Sequence, residues 1–213
     1  VVVAVGAVAD PLVEAIAERI DGLKVGPGLD PEGMDMGPLV TESHRDRVRS
    51  YIDLADGDGV TIVRDGRGLC VEGHEKGFWL GATLLDHVTP DMKCYTDEIF
   101  GPVLSVVRVD TYDDAMDLLR ANPYGNGVAI YTNDGGAARA FQRDVPVGMV
   151  GINVPIPVPM AYHSFGGWKD SLFGDHHMHG PEGVRFYTRY KAVSEHWPDP
   201  HHRGIDLGFP TST

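Results

Sequence analysis

The chain has 213 residues, of which 42% are hydrophobic, so it can bury the core of one sizeable domain or of one domain with a small appendage. Its 31 acidic and 18 basic side chains give a formal charge of -13, which repels phosphate backbones and anionic lipid surfaces and argues against nucleic acid or a membrane as partner. No apolar run approaches the roughly 20 residues of a membrane span. Cys70 and Cys94 lack the spacing of a disulfide scaffold or a zinc site, which favours a reducing compartment such as the cytoplasm.

Strand and helix signals alternate in the first third of the chain. Residues 1–5 are an apolar run that predicts a strand, and Asp10 and Pro11 after it are a typical N-cap and first helical residue. Thr41 is predicted to cap a second helix, and a short strand is expected over residues 60–63. The predicted buried stripe of the second helix is Val48, Tyr51, Ile52 and Ala55.

The alternation becomes regular from residue 103 onward. The predicted order is a strand over 103–109, a helix capped by Thr111 with Asp114 completing a capping box, a strand over 128–131, a helix over 134–141 and a strand over 149–154. Apolar strands separated by helices of this length are typical of a parallel sheet covered on both sides. The predicted fold class is therefore α/β, an open, mostly parallel sheet with helices on both faces, whose ligands should lie at the carboxyl ends of strands.

The last part of the chain differs in pattern. Residues 184–193 alternate partly and are rich in Tyr and Arg, which suits an edge strand that pairs elsewhere, for example with another subunit. Residues 198–213 are polar and rich in Pro and Gly, so little core is expected there. The expected organisation is a main domain over residues 1–180, an oligomerisation strand over 181–197 and a polar tail.

The most informative segment is Glu98-Ile99-Phe100-Gly101-Pro102, which runs directly into the strand predicted from residue 103. A Glu in a Gly/Pro turn beside a strand suggests an acceptor for hydroxyl donors such as those of a ribose, and Phe100 would offer a flat apolar surface to the attached ring. The alternative is that Glu98 is a solvated turn residue and Phe100 a core anchor.

Two further segments carry a family resemblance together with this one. They are Asn122-Pro123-Tyr124-Gly125-Asn126-Gly127 and Ser164-Phe165-Gly166-Gly167-Trp168-Lys169-Asp170-Ser171. In order and spacing, the three segments resemble the carboxyl-terminal half of the aldehyde dehydrogenase superfamily, over residues 1–197. The stretch over 151–159 and the following Phe-Gly-Gly-Trp are most similar to the CoA-acylating methylmalonate-semialdehyde dehydrogenase branch.

This resemblance implies an NAD-dependent oxidation of methylmalonate or malonate semialdehyde to propionyl-CoA or acetyl-CoA, as in valine and pyrimidine catabolism. A cysteine thiolate would add to the aldehyde, and hydride would pass to NAD. The resulting thioester would be transferred to coenzyme A, with loss of the substrate carboxylate as carbon dioxide. By the match, Glu98 would accept from the nicotinamide ribose hydroxyls, Phe100 would pack by that ribose, and Phe165 would line the substrate tunnel. The resemblance also implies a homo-oligomer, a dimer or a tetramer.

The resemblance assigns no catalytic residue to this chain. The family's nucleophilic cysteine would lie just upstream of Val1, and neither Cys70 nor Cys94 matches its position. The half of the family that binds the adenosine and pyrophosphate is also not matched. We therefore expect the chain to be inactive alone. The alternatives are a non-catalytic α/β fragment acting in subunit association, a non-acylating aldehyde dehydrogenase, or an unrelated α/β binding protein that matches by accident.

Two clusters of potential metal ligands occur. The first consists of Asp175, His176, His177 and His179. The second consists of Asp30, Glu32 and Asp35. The histidines match no defined metal motif, although imidazoles suit zinc, copper or nickel, and together with His201 and His202 they are expected to form a polar, partly exposed loop and tail. The acidic loop departs from the EF-hand pattern. We therefore expect no metal site.

Overall fold

The computed structural model describes residues 1–29 and 33–197. It contains two compact units. Unit 1 comprises Val1–Pro123 and Gly135–Pro146, and unit 2 comprises Tyr124–Asp134 and the chain from Val147 onward.

A four-stranded sheet forms the centre of unit 1. Its strands are β1 (Val2–Val5), β2 (Thr61–Arg64), β3 (Thr83–Asp86) and β4 (Val103–Val109), in the order β1-β4-β3-β2. Strand β4 is parallel to β1 and β3, with Val2 opposite Val106 and Thr83 opposite Val103, while β2 is antiparallel to β3. The strands β1, β3 and β4 therefore begin at the same edge of the sheet.

Helices cover both faces of this sheet, which confirms the predicted fold class. They are α1 (Ala9–Asp21), α2 (Glu42–Gly57), the short α3 (Lys93–Thr96) and α4 (Tyr112–Ala121), and unit 1 also contains α5 (Gly135–Asp144). Because side chains alternate along a strand, Leu84 and Val106 pack with Val13 of α1 in one cluster. Leu85 and Val107 pack on the other face with Ile52 of α2.

The predicted helix caps fared differently. The Thr41 hydroxyl accepts from the His44 N–H at 3.2 Å, and Thr111 and Asp114 form the predicted capping box. Asp10 is not an N-cap, because Gly6–Val8 form a 3-10 turn and α1 already begins at Ala9. Of the predicted α2 stripe, Val48, Ile52 and Ala55 are buried, and Tyr51 is half-buried.

Strand β3 was not predicted from the sequence. It has four residues, all buried, and pairs on both sides with other strands. So short a run carries no measurable periodicity, and its position is determined by the sheet around it. It ends in Asp86, a buried carboxylate, which is unusual for a central strand.

The described residues of unit 2 form two small sheets and one helix. The strands β6 (Gly127–Ile130) and β7 (Met149–Ile152) are parallel, and β5 (Tyr124–Gly125) is antiparallel to β8 (Trp168–Lys169). Helix α6 covers Glu182–Tyr187, so the prediction of strand from residue 184 is wrong there.

The start of α6 has a local cause. Pro181 precedes the helix in a helical conformation, and Glu182 in the first turn accepts a 3.3 Å hydrogen bond from Arg185 one turn later. Residues 188–197 have no regular secondary structure, and the tail over 198–213 lies outside the described residues. Among the described residues, no helix combines the length and apolar character needed to cross a bilayer.

Candidate cofactor and substrate loops

The loop over residues 98–102 lies directly before β4, at the edge where β1, β3 and β4 begin. This is the amino end of the parallel strands and not the carboxyl end expected for ligands of open sheets. Glu98 is exposed, and Phe100 is 73% exposed, while Ile99 between them is buried at 8%. Ile99 is therefore the core anchor of this loop, and the aromatic ring of Phe100 is available to a ligand.

Helix α2 supplies hydrogen-bond donors to the backbone of this loop. His44 Nε2 donates to the carbonyl oxygen of Phe100 at 2.8 Å. Arg47 donates through Nη2 to the Ile99 carbonyl at 2.8 Å and through Nη1 to the Glu98 carbonyl at 3.5 Å. Three consecutive carbonyl groups therefore face one side of one helix.

The loop also lies in direct contact with the body of α2. Tyr51 donates from its hydroxyl to Asp97 Oδ2 at 3.0 Å, just before the loop. At Gly101, a Cβ would stand 2.5 Å from a methyl group of Val48, a fully buried residue of α2. A side chain at position 101 would therefore require the Val48 side chain to move.

Phe100 adopts a left-handed backbone conformation, with φ of +58°. Such a conformation is uncommon for a bulky residue and costs about 1 kcal/mol or more unless the surroundings enforce it. Here the ring that points to solvent belongs to the residue whose backbone is strained. This backbone strain favours a ligand-binding site at the loop, because strained residues are frequent at ligand-binding positions.

An apolar groove of about 570 Å³ lies beside the loop in unit 1. Its walls are the carboxyl-terminal half of α1, including Ile16 and Ile20, and the amino ends of β3 and β4. Gly101 and Pro102 form part of its rim. The loop and the groove together make this edge of the sheet the concave, apolar side of unit 1.

The opposite edge of the sheet is closed by charge pairing. Arg108 of β4 donates to both carboxylate oxygens of Asp86 at 3.0 and 2.7 Å, and to Asp10 at 2.6 Å. Burial raises the pKa of Asp86, but the hydrogen bonds from Arg108 and from the His87 N–H outweigh it and lower that pKa below its usual value. Every polar group in this network has a partner, so it has a structural role.

Phe165 of unit 2 is half-buried and lies against the histidine-rich segment. Its ring stacks on the His179 imidazole with centroids 4.4 Å apart and planes 2° from parallel. A Cβ on the next residue, Gly166, would meet the His177 imidazole at 2.7 Å. No pattern in the sequence indicated this role of the histidines, which were expected in a polar loop.

The other potential metal ligands form no site in the structure. His176 lies 3.5 Å from Glu182, in a pair that is charged only if the imidazole is protonated. No group of three or more ligating side chains occurs among residues 1–29 and 33–197. Asp30, Glu32, His201 and His202 lie outside that part of the chain.

The two cysteines have free thiols in different environments. Cys94 is 5% exposed in the core beneath α2, and burial raises the pKa of its thiol. A nucleophilic cysteine needs an accessible thiolate, so Cys94 is unsuited to that role. Cys70 is exposed and lies in a loop after the 3-10 turn Gly66–Gly68.

Comparison with known proteins gives consistent results. The model of the Aldehyde dehydrogenase family matches residues 1–193. A malonate-semialdehyde dehydrogenase of Pseudomonas aeruginosa is 54% identical over 205 residues, which cover 96% of this chain and 41% of the relative. A protein of Drosophila pseudoobscura pseudoobscura, described as a probable acylating, mitochondrial methylmalonate-semialdehyde/malonate-semialdehyde dehydrogenase, is 45% identical over 198 residues, or 92% of this chain and 38% of the relative.

A solved structure agrees with these relatives. A protein of Sinorhizobium meliloti 1021, determined in complex with NAD, is 49% identical and superimposes with a TM-score of 0.88, covering 94% of this chain and 41% of that one. The chain thus spans about two fifths of the length of the relatives that it matches.

Proposed function

Because the chain belongs to the aldehyde dehydrogenase family, we propose that it forms the carboxyl-terminal portion of an NAD-dependent enzyme that oxidises methylmalonate or malonate semialdehyde. The observation that carries this proposal is the 98–102 loop. It presents an exposed carboxylate and an exposed aromatic ring on a backbone fixed by α2. When bound, NAD would supply the acceptor for a hydride from the substrate.

Glu98 and Phe100 fit the nicotinamide half of NAD by their chemistry. Within the described part of the chain, the Glu98 carboxylate receives no hydrogen bond, so both oxygens can accept from ribose hydroxyls. The exposed Phe100 ring, two residues away, would pack against the ribose and the attached ring. These two side chains would fix the orientation of the nicotinamide, on which hydride transfer depends.

We propose further that the attacking cysteine belongs to polypeptide that precedes Val1. Strand β1 is parallel to β4, and Val2 lies opposite Val106. A chain that continues β1 toward its amino end would run beside Val103 and emerge next to the 98–102 loop. A thiolate carried there would approach the nicotinamide site, which explains why neither cysteine of this chain is required. We therefore expect the isolated chain to be inactive.

The substrate side of the proposal concerns Phe165 and coenzyme A. Phe165 would line the substrate tunnel with a ring that is held flat by His179. Transfer of the acyl group to coenzyme A is supported by the similarity to the acylating relative and by the resemblance of residues 151–159 to that branch. A non-acylating dehydrogenase would instead release the free acid.

A hybrid enzyme tests the reaction directly. The amino-terminal part of the Pseudomonas aeruginosa relative, up to the residue that matches Val1, is joined to this chain and assayed with malonate semialdehyde, NAD and coenzyme A. We expect reduced nicotinamide and acetyl-CoA to form, and Glu98→Gln to raise the KM for NAD about tenfold, as expected for loss of one charged hydrogen-bond acceptor. Reduced nicotinamide without an acyl-CoA product would exclude the acylating assignment, and no reduction at all would contradict the whole proposal.

The isolated chain provides the complementary measurement. With NAD, aldehyde and coenzyme A it should produce no absorbance of reduced nicotinamide, and calorimetric titration with NAD alone should show weak binding. Turnover by the isolated chain would contradict the placement of the nucleophile upstream of Val1.

A role in subunit association is supported by the end of the described chain. Tyr190, Val193 and Trp197 are 91%, 65% and 85% exposed and follow α6 without regular secondary structure. Apolar side chains in such a segment favour pairing with a second subunit of a dimer or tetramer. Sedimentation of the hybrid enzyme checks this, because Tyr190→Ser combined with Val193→Ser should shift the assembly toward monomer. The two free thiols are consistent with a reducing compartment such as the cytoplasm.

A further inference from the structure

Two side chains, those of His44 and Arg47, hold the backbone of the 98–102 loop and are not among the proposed contacts with NAD. We propose that His44 and Arg47 are positioning residues, which set the direction of Glu98 and Phe100 by holding the loop carbonyls. This inference rests on the proposed function, because it names what makes the nicotinamide site rigid. Neither residue needs to touch the cofactor for this role.

The hydrogen bonds are placed so that they determine the conformation of Phe100. Arg47 binds the Ile99 carbonyl, which belongs to the peptide plane before Phe100. His44 binds the Phe100 carbonyl, which belongs to the plane after it. The angles φ and ψ of Phe100 describe the rotation between these two planes, so fixing both planes fixes both angles. The left-handed φ of +58° is therefore enforced by α2.

The same helix face supplies the apolar part of the support. Val48 lies one turn after His44, and its methyl groups lie so close to Gly101 that they would clash with a Cβ there. Ile99 packs into the cluster that contains Val48. The donors and the buried valine share one face of α2, because residues three and four apart are neighbours on a helix.

These donors can be removed without opening the core. Arg47 is exposed and His44 is half-buried, and neither belongs to a buried cluster. Substitutions at such positions change the free energy of unfolding by about 0.5 kcal/mol or less, apart from the hydrogen bonds themselves. A loss of function without a loss of stability is thus the expected signature.

Variants at position 44 separate donation from bulk. His44→Leu fills the space but cannot donate, while His44→Gln carries an amide N–H that can reach the same carbonyl. In the hybrid enzyme, we expect His44→Leu to raise the KM for NAD and lower kcat, each about tenfold, and His44→Gln to recover most of the loss. The melting temperature should change little in either variant.

Arg47 provides the second test, with a matched control on the same helix. Arg47→Met keeps the length of the side chain but removes its donors, whereas Arg49→Met removes an exposed arginine that makes neither of the hydrogen bonds of Arg47 to the loop. Arg47→Met should also increase the primary isotope effect on kcat with deuterated aldehyde, because a misoriented nicotinamide slows hydride transfer. A simple loss of folded enzyme would leave that isotope effect unchanged.

The outcomes distinguish this inference from the proposed function. An unmutated hybrid enzyme that fails to reduce NAD contradicts the proposed function. A hybrid that reduces NAD normally with His44→Leu and with Arg47→Met contradicts the positioning role alone. Equal damage by Leu and Gln at position 44 would also contradict it, because donation would then not be the property that matters.

The isolated chain gives an independent test of the geometry. The His44 and Phe100 rings lie with centroids 6.4 Å apart, close enough for proton Overhauser contacts at their edges. We expect these contacts in the unmutated chain. They should weaken in Arg47→Met, because this substitution retains the His44 and Phe100 side chains but removes a hydrogen bond that holds the loop. Their absence in the unmutated chain would show that α2 does not hold the loop in solution, and would overturn the inference without any assay of NAD.

Discussion

The 98–102 loop of unit 1 is held by side chains that donate to its carbonyl oxygens, whereas the segment around Phe165 in unit 2 is held by contacts that leave no room for a Cβ. In the first, His44 and Arg47 reach across to three consecutive carbonyls. In the second, Gly148 and Gly166 bring backbone and imidazole groups into direct contact.

This difference separates orientation from stability. A loop held by donors outside the buried core loses its direction when a donor is lost, while the core beneath it remains intact. A segment held by glycine contacts cannot accept any side chain without moving its backbone. We therefore expect loss of the donors to the 98–102 loop to affect mainly the kinetics with NAD, and changes at the glycines around residue 166 to affect mainly the stability of unit 2.

The largest effect is expected for Gly148→Ala. Its new Cβ would overlap the carbonyl oxygen of Gly166, and because this neighbour is backbone it cannot rotate away. We expect a loss of about 3 kcal/mol in the free energy of unfolding, measured by urea denaturation. Gly135→Ala is the control, since nothing lies within 4 Å of its Cβ and the residue begins α5. Similar stability of the two variants would contradict the tight contact.

Gly101→Ala sharpens the comparison, because here the obstacle is a side chain. The added methyl group would lie 2.5 Å from Val48 Cγ1, and we expect a cost of about 2 kcal/mol together with weaker binding of NAD. Val48→Ala alone leaves a cavity and should cost about 2 kcal/mol.

The double variant, Gly101→Ala with Val48→Ala, tests whether the contact with Val48 causes the loss of stability in Gly101→Ala. The alanine at 101 can enter the space that the valine methyls vacate, so the combined loss should be clearly smaller than the sum of the single losses. No second substitution can rescue Gly148→Ala in this way, because the obstacle there is the backbone carbonyl of Gly166. Strict additivity of the two changes would contradict the contact between position 101 and Val48.

The sequence predicted the parts of both regions that depend on local pattern. Thr41 and the α2 stripe were recognisable from spacing. Local pattern alone left open whether Phe100 is a core anchor, and the roles of Glu98 and Phe100 were taken from the family resemblance. The support of the loop was not recognisable, because His44 and Arg47 act on carbonyls more than 50 residues away. Nothing in a helix sequence indicates which distant backbone its polar face will meet.

Elements defined by tertiary context were predicted less well. β3 has only four residues and exists because strands on both sides pair with it. The alternation after residue 184 was interpreted as a strand, but the Pro181 and Glu182 start favours a helix there. The ring of His179 stacks on the ring of Phe165. This contact was not predicted, because it depends on the turn at Gly180, which has a positive φ.

Asp86→Asn tests stability at the edge of the sheet opposite the 98–102 loop. It removes a buried carboxylate that pairs with Arg108, and we expect a loss of about 2 kcal/mol at neutral pH, with unchanged KM for NAD in the hybrid enzyme. Asp117→Asn, in the exposed pair with Arg120, is the control and should cost less than about 0.5 kcal/mol.

The pH dependence of Asp86 follows from the lowered pKa of its carboxyl group in the folded state. Its stabilising contribution is fully present above the unfolded pKa of about 3.9 and is lost as the pH falls through the lower folded value. Urea denaturation between neutral pH and the acid range should show the difference between the unmutated chain and Asp86→Asn shrinking only in acid. A difference that already shrinks near pH 6 would contradict this assignment.

The smallest effect is expected at His179. Its side chain supports Phe165 in the second segment, as the side chains of His44 and Arg47 support the 98–102 loop. His179→Leu removes the flat partner and should cost about 1 kcal/mol, while His179→Phe keeps a ring and should cost less. In the hybrid enzyme, the KM for the aldehyde should rise more than the KM for NAD, the reverse of the result expected for His44→Leu. His176→Leu is the control, because that imidazole is exposed and makes only a 3.5 Å approach to Glu182. If Leu and Phe at position 179 behave alike, the stacked ring has no influence on Phe165, and the second segment depends on its glycine contacts alone.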